Sequence, residues 1–459
     1  MSKERLFGTD GVRGEANVCL TAPLAMQLGM AAGHLFGQRG TFVVIGRDTR
    51  LSGDMLESAL AAGLAALGVN VLNVGTVPTP AVAQIVLAQE AAAGVVISAS
   101  HNPFEDNGIK FFGRNGKKLP DSVEDEIAGL IPALETLTRP THGAIGRIVW
   151  TREPVQDYVD RVCATVSRYG NQPLADLHLV MDCANGAAYE LAPLIFRTLG
   201  ARISLIHAAP DGVNINVGCG STHPADMANR VAQLGAHAGL AFDGDADRVM
   251  LADERGQIVD GDRMLAIIAL HLAAIGELPG SVAVATIMSN AGLEQALSAR
   301  GIRLSRTDVG DRYVAEAMES LGAAVGGEQS GHILLPRLTP TGDGLVTALQ
   351  VLAIMRESHK SLSVLADVVQ TCPQLLKNVR VHSKLRWSED PDIQRAITTG
   401  RVRLGNPDWL SVRASGTEPL LRVMAQGTDA SIVEQVVHEI CAVVERKLGG
   451  EATCQAKQH

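Results

Sequence analysis

Residues 42–74 read FVVIGRDTRLSGDMLESALAAGLAALGVNVLNV, and this stretch decides the fold class. A short apolar run at 42–45 meets the polar turn Gly46-Arg47-Asp48-Thr49-Arg50. A helical stretch follows, stops at Leu67-Gly68, and gives way to a second apolar run at 69–74. Strand, polar loop, helix with a glycine stop, strand is the order of a βαβ unit. The same order recurs at 179–206, through a turn at 182–187 and a stop at Leu199-Gly200. It recurs again at 282–304, through Ser289-Asn290-Ala291-Gly292 and a stop at Arg300-Gly301. Continuous rather than alternating apolar runs imply parallel strands covered on both faces. Three such units predict three related α/β domains.

The C-terminal part reads differently. Strands are expected at 379–381, 409–413 and 420–424, followed by Ser431-Ile-Val-Glu434, which reads as a capping box. Apolar residues at 432, 433, 436, 437, 440, 443, 444 and 448 then form a helical stripe. This is a small α+β domain, with a polar tail over 449–459 expected to fray. A chain of 459 residues predicts about three domains at roughly 150 residues each, with two to four allowed. The expected divisions are 1–155, 156–254, 255–367 and 368–459.

Composition narrows the function classes. Forty-seven glycines and only 3% aromatics suit tight loops between small aliphatic elements, not a fibre or a disordered chain. A net charge of −9 excludes a global basic field, so no nucleic-acid partner is expected, while a local anion site stays open. The longest apolar stretch, 264–276, is interrupted by His271 and is short of the ~20 residues a membrane span needs. No membrane partner and no secretory segment are expected. Seven scattered cysteines without a CxxC pair read as reduced thiols, which points to a cytoplasmic protein.

Four loops could carry chemistry. Ser98-Ala-Ser100-His101-Asn102-Pro103 follows the apolar run 94–97, at the carboxyl end of a strand, where open α/β sheets build their sites. Asn102-Pro103 turns the chain out of strand geometry and lifts the preceding hydroxyl into the open, with His101 and Lys110 as proton carrier and cation. The competing reading of this segment alone is a polar turn capping a helix. Asp243-Gly-Asp245-Ala-Asp247-Arg248 follows the run 238–242. Carboxylates spaced by two in one tight loop repel unless a cation joins them, and few hard oxygen ligands suit Mg²⁺. An EF-hand is rejected, because its glycine position holds Arg248 and 249–252 reads as strand.

In the third loop, Gly326-Gly-Glu328-Gln329-Ser330-Gly331-His332, glycines bracket side chains suited to sugar hydroxyls. An ordinary glycine turn is the alternative there. The fourth, Arg413-Ala-Ser415-Gly416-Thr417-Glu-Pro419 with Arg422 beyond it, offers guanidinium forks and hydroxyls matched to phosphate oxygens. A structural loop held by Arg413 competes with that reading. No GxGxxG, GxxxxGK[ST], HExxH or GxSxG occurs, so nucleotide-dependent phosphoryl transfer and serine hydrolysis lose ground.

These loops, in this order and behind the opening Phe7-Gly-Thr-Asp-Gly-Val-Arg13-Gly14, resemble the α-D-phosphohexomutase superfamily over nearly the whole chain. The resemblance implies three related α/β domains with mostly parallel, mixed sheets plus a C-terminal α+β domain, around a central cleft to which each donates a loop. Ser100 would be the phosphorylated residue, and Asp243, Asp245 and Asp247 would hold one Mg²⁺ per subunit together with its phosphate. Glu328, Ser330 and His332 would contact sugar hydroxyls. Arg413, Ser415, Gly416, Thr417 and Arg422 would hold the distal phosphate. Arg13, His101, Lys110 and Arg248 would line the reacting centre, the last three as candidates for acid and base.

The implied reaction moves phosphate between O6 and O1 of a hexose through a 1,6-bisphosphate, which also serves as primer. Such a scheme needs one transfer site and one remote phosphate clamp, and the chain carries both. Gln329 and the 7–14 opening favour the glucosamine branch by resemblance, with glucose or mannose as the alternative substrate. A phosphosugar-binding regulator without catalysis would lack a key serine, aspartate or arginine, and none is lacking here. A homodimer is compatible with the resemblance. Asp308 departs from the basic residue expected at its position and is expected to face away from substrate.

Overall fold

A computed structural model describes residues 5–8, 10–37, 41–383, 387–415, 419–449 and 452–454. They fall into two compact units, one of residues 1–271 with 324–366 and one of 272–323 with 367–459. The fold is α/β, as the repeated βαβ pattern predicts, with the mixed sheets that the resemblance implies.

The first unit holds two sheets. One runs Val12–Glu15, Asp106–Gly113, Ala93–Ile97, Phe42–Arg47, Asn70–Thr76, Ile148–Trp150. Its last three neighbouring pairs are parallel and its first two antiparallel. Phe42–Arg47 and Ala93–Ile97 are parallel neighbours, so the loops that follow them emerge at the same edge of the sheet. The core under this sheet joins Val43, Ile45, Val71, Val95 and Ile97 to Leu28, Leu60 and Leu64 of the helices Ala22–Phe36 and Gly53–Ala66. Burying each such leucine contributes roughly 1.5–3 kcal/mol. The two helices touch backbone to backbone: a Cβ at Gly29 would lie 2.2 Å from the Leu60 carbonyl oxygen, so no larger residue fits. The second sheet runs Ile258–Val259, Val249–Ala252, Ala238–Phe242, His178–Asp182, Arg202–Ile206, parallel over its last three strands. A two-residue antiparallel pair, Gly326–Gly327 with Ile333–Leu334, and the helix Gly344–Ser358 complete this unit.

The second unit contains the parallel pair Val282–Thr286 and Arg303–Thr307, with the helices Ala291–Ser298 and Asp311–Leu321. It also contains an antiparallel sheet in the order Leu410–Ala414, Leu420–Gln426, Gln374–Arg380, Ala452–Cys454. The helices Pro391–Leu404 and Ala430–Leu448 cover it, burying Val433, Val436, Val437, Ile440 and Val444 on the expected stripe.

Three expectations need correction. The cap of Ala430–Leu448 is Asp429, whose carboxylate accepts from the amides of Ser431 and Ile432, so Ser431 stands inside the helix. Residues 452–454 of the expected frayed tail pair with Gln374–Arg380, whose edge supplies their hydrogen bonds; the rest of the tail beyond Gly449 lies outside the described residues. The loop after Ser100 leads into the strand Asp106–Gly113, which removes the reading of that loop as a helix cap. Among the described residues, no helix is long and apolar enough to cross a membrane.

One buried carboxyl ties the fold to pH. Glu57, inside the helix Gly53–Ala66, accepts from Arg47 Nε at 3.2 Å, and Arg47 also pairs with Asp54. Burial pushes Glu57 up to about 7 against the pull of Arg47, with Asp54 adding to the rise. A carboxyl raised in the fold stabilises below its unfolded value, and that contribution is lost as pH rises through about 7. Glu57→Gln removes the titration while keeping an acceptor for Arg47. Urea unfolding is expected to show the variant gaining about 2 kcal/mol on the wild type between pH 5 and pH 8, at 1.36 kcal/mol per pKa unit. A pH-independent difference would refute this.

Candidate active site

Three loops of the first unit converge. Ser100 follows the strand Ala93–Ile97 and takes a left-handed backbone, φ 52°. Its amide donates to Ser98 Oγ at 2.9 Å, and Ser98 Oγ donates to Asp48 Oδ2 at 2.6 Å. The kink presents Ser100 Oγ to Asp243 Oδ2, 2.6 Å away. His101 Nδ1 lies 3.4 Å from the same hydroxyl, and Arg248 Nη1 lies 3.5 Å from that ring nitrogen.

Asp243, Asp245 and Asp247 occupy the turn between the paired strands Ala238–Phe242 and Val249–Ala252. Each offers a carboxylate oxygen, and the three oxygens lie within 4.8 Å of one another in a buried setting. Asp243 Oδ1 also accepts from the Arg248 amide at 3.2 Å. Asp245 Oδ2 accepts from Thr79 Oγ1 at 2.6 Å and from Lys110 Nζ at 3.1 Å. Lys110 stands on Asp106–Gly113 opposite Val96, fully buried, and reaches Asp10 as well at 3.1 Å. Arg13, on the strand beside it, pairs with Asp10.

The electrostatics separate these groups. Burial, then Asp247 and Asp245, push Asp243 well above the usual carboxylate range. Against burial, His332, Lys110 and Arg248 hold Asp247 low. Against burial, Asp10 and Asp245 raise Lys110, which stays a cation. Burial, then Arg248 and Arg13, press His101 down to about 4, so its ring is neutral at neutral pH. A cluster in which burial and neighbouring carboxylates disfavour the charge of Asp243, and in which Asp245 Oδ1 has no hydrogen-bond partner among the described residues, fits a hard divalent cation.

Glu328, Ser330 and His332 lie on the hairpin between Gly326–Gly327 and Ile333–Leu334. Ser330 Oγ donates to Glu328 Oε2 at 3.1 Å, and both side chains are half-buried. The hairpin seats on the aspartate turn: Val249 N donates to the Gly331 carbonyl at 3.3 Å, and His332 Nδ1 lies 3.7 Å from Asp247 Oδ1. At Gly331, φ is 89° and a Cβ would stand 2.1 Å from the Val249 carbonyl oxygen, so glycine is required.

In the second unit, Arg413 and Arg422 are opposite one another on paired strands. Burial, then Arg422, lower the Arg413 pKa, while Asp308 opposes that shift. Two crowded guanidiniums are poised for an anion. Asp308 is exposed, but its charge is felt at Arg413. Ser415 is buried beside them, and its amide donates to the Leu420 carbonyl at 2.9 Å. Gly416 and Thr417 lie outside the described residues.

The structure therefore brings together Ser100, His101, Lys110, the three aspartates, Arg248 and His332 in one unit, and Arg413, Ser415 and Arg422 in the other. Sequence reasoning missed Asp10, Asp48, Thr79 and Ser98, which orient these groups. For Asp48 a signal existed: the 46–50 turn ends a strand that neighbours the one before Ser98.

Comparisons with known proteins agree with this geometry. Domains I, II and III of the phosphoglucomutase/phosphomannomutase family, each described as alpha/beta/alpha, match residues 4–137, 156–256 and 260–372. The C-terminal domain of the same family matches 376–443. The phosphoglucosamine mutase of Moorella thermoacetica is 51% identical over 436 residues, covering 94% of this chain and 97% of its own. That of Carboxydothermus hydrogenoformans is 50% identical over 445 residues, covering 96% and 99%. A solved structure of a phosphoglucomutase/phosphomannomutase family protein from Burkholderia thailandensis superposes with a TM-score of 0.81 at 25% identity, over 98% of this chain and all of that one. With all four domains matched in order and relatives at half identity along nearly the full length, the chain belongs to the phosphoglucomutase/phosphomannomutase family and, within it, to the phosphoglucosamine mutases.

Proposed function

We propose that this enzyme interconverts glucosamine 6-phosphate and glucosamine 1-phosphate by way of a phosphoserine at Ser100 and a 1,6-bisphosphate intermediate, feeding amino-sugar nucleotide synthesis. The observation that carries this reading is Ser100 Oγ, 2.6 Å from Asp243, inside a ring of buried carboxylates flanked by Lys110 and Arg248. In the forward half, the bond between phosphorus and Ser100 Oγ breaks and one to the free sugar oxygen forms. The sugar hydroxyl gives up its proton to a neighbouring base, and the departing Ser100 oxygen takes one up. Neutral His101 suits that task, whereas Lys110, held as a cation, suits charge neutralisation. In the second half the bisphosphate is bound the other way round. The Ser100 hydroxyl gives up its proton and takes the other phosphoryl group as the bond from phosphorus to the sugar oxygen breaks, and that oxygen takes up a proton.

Asp243, Asp245 and Asp247, with an oxygen of the phosphorylated Ser100, are the residues that would hold one Mg²⁺. When bound, the ion supplies positive charge to the transferring phosphoryl group. Glu328, Ser330 and His332 serve the sugar hydroxyls. Arg413, Ser415, Gly416, Thr417 and Arg422 serve the far phosphate, and Arg13 lines the reacting centre. The reading includes four domains, divided near 155, 254 and 367, priming by hexose 1,6-bisphosphate, a cytoplasmic location and a homodimer.

The test is turnover with Mg²⁺ and a trace of hexose 1,6-bisphosphate on glucosamine 6-phosphate, glucose 1-phosphate and mannose 1-phosphate. A clear preference for the glucosamine substrate is expected. Preference for glucose or mannose would keep the transfer chemistry and overturn the substrate. No turnover on any of them, with Ser100 shown to be phosphorylated, would indicate a phosphosugar-binding protein.

A further inference from the structure

Ser100 holds a backbone conformation that non-glycine residues rarely adopt, φ 52°. Such a conformation persists only where the surroundings over-determine it. Two side chains outside the four loops do so here. Arg50 is a fully buried guanidinium. Its Nη2 donates to the carbonyls of Ser100 at 2.9 Å and Asn102 at 2.8 Å, and its Nη1 to those of Pro103 and of Asp106 at 3.0 Å. Its Nε donates to Asp48 Oδ2 at 2.9 Å, the oxygen that also receives the Ser98 hydroxyl.

The second is Asn216. It is buried, and its Nδ2 donates to the same two carbonyls, Ser100 at 2.9 Å and Asn102 at 3.0 Å. Gly244, in the aspartate turn, closes the space: a Cβ there would stand 2.5 Å from the Ser100 carbonyl oxygen and 2.9 Å from Asn216 Nδ2. The loop is thus gripped by its carbonyls and leaves the Ser100 hydroxyl free to face Asp243. Only a planar fork with several fixed donors can serve four carbonyls and a carboxylate at once, which lysine cannot do.

We propose that Arg50 and Asn216 are positioning residues that clamp the Ser100 and Asn102 carbonyls and thereby aim Ser100 Oγ for phosphoryl transfer. The proposal rests on Ser100 as the phosphoryl carrier. It adds that catalysis depends on two groups that touch neither substrate nor metal. Misplacing a reacting atom by about 1 Å can cost on the order of a hundredfold in rate.

Asn216→Gly is the cleanest test. Asn216 itself has φ 61°, which glycine accepts freely, so only the clamping amide is lost. With glucosamine 6-phosphate, kcat is expected to fall about 10- to 100-fold while KM stays within about threefold. Hydrogen exchange of the peptide covering 98–102 is expected to quicken. Asn216→Asp keeps the shape but turns an oxygen towards two carbonyls, and is expected to be at least as impaired as Asn216→Gly. Arg50→Lys is expected to follow the same pattern more strongly, although its burial gives it the greater risk of not folding. A folded Asn216→Gly or Asn216→Asp variant with wild-type kcat, or with unchanged exchange over 98–102, would overturn the proposal. Should the wild type itself turn over no sugar phosphate, the functional reading falls, and the exchange measurement still decides whether the clamp exists.

Discussion

Ser100→Ala is expected to lose turnover by a factor of about 10⁴ or more, while binding of the sugar phosphate changes only a few-fold. The reason is that Ser100 Oγ is the only atom the substitution removes. In the proposed reaction that atom gives its phosphoryl group to the sugar in the first half and takes one back in the second, and the neighbouring groups do not replace it. His101 Nδ1 lies beside the hydroxyl, Arg248 Nη1 lies beside that ring nitrogen, and Lys110 is committed to Asp10 and Asp245. The hairpin that carries Glu328 and Ser330 and the Arg413–Arg422 pair keep their own contacts in the variant. Folding should survive, because the clamp on the backbone acts on carbonyls and not on the side chain. The loss of the Ser100–Asp243 hydrogen bond costs about 1.5–3 kcal/mol at most, as expected for one to a charged acceptor. Steady-state kinetics, with calorimetric titration of glucosamine 6-phosphate, would check both halves of this expectation. Mass spectrometry after incubation with hexose 1,6-bisphosphate should show uptake of phosphate by the wild type and none by the variant. Wild-type turnover in Ser100→Ala would end the phosphoserine mechanism.

What could be read in the sequence, and what could not, follows the range of the interactions involved. The βαβ units were legible because continuous apolar runs and glycine stops are local signals; the strand expected at 42–45 is Phe42–Arg47, extended only by residues whose pairing lies across the sheet. The cap of the last helix was misplaced by two residues because Asp429 and Ser431 both suit an N-cap, and only the side-chain geometry chooses between them. The strand at 452–454 left no periodic signal, since a distant edge provides its partner. The same contrast holds at the site. Ser100 and the aspartates stand directly behind apolar strands, so position and chemistry coincide along the chain. Arg50 and Asn216 act on Ser100 from 50 and 116 positions away, and nothing local distinguishes them from turn residues.

Asp243→Asn is expected to move stability and activity in opposite directions. Among the three carboxylates, Asp245 has Lys110 and Thr79, and Asp247 has His332 and Arg248 nearby. Asp243 is served by the Ser100 hydroxyl and the Arg248 amide, and burial and its two acidic neighbours disfavour its charge. Without a cation, burial and the two neighbouring carboxylates make the charge of Asp243 costly in the folded protein, a cost the unfolded chain does not bear. An asparagine keeps the shape and one acceptor oxygen while removing the charge. In metal-free buffer at pH 8 the variant should therefore be more stable by about 1–2 kcal/mol, or a few degrees in Tm for a body of this size. Added Mg²⁺ should raise the Tm of the wild type, since a ligand at a hundred times its Kd contributes about 2.7 kcal/mol. The variant should respond weakly, and its turnover should fall by about 10³-fold or more, equivalent to roughly 4 kcal/mol of barrier. A thermal-shift series with and without Mg²⁺, paired with kinetics, separates these effects. A variant less stable than the wild type in the absence of metal would mean that Lys110 and Arg248 already balance the three carboxylates. The turn would then be a finished ion-pair network instead of a site whose own repulsion is relieved when a cation binds.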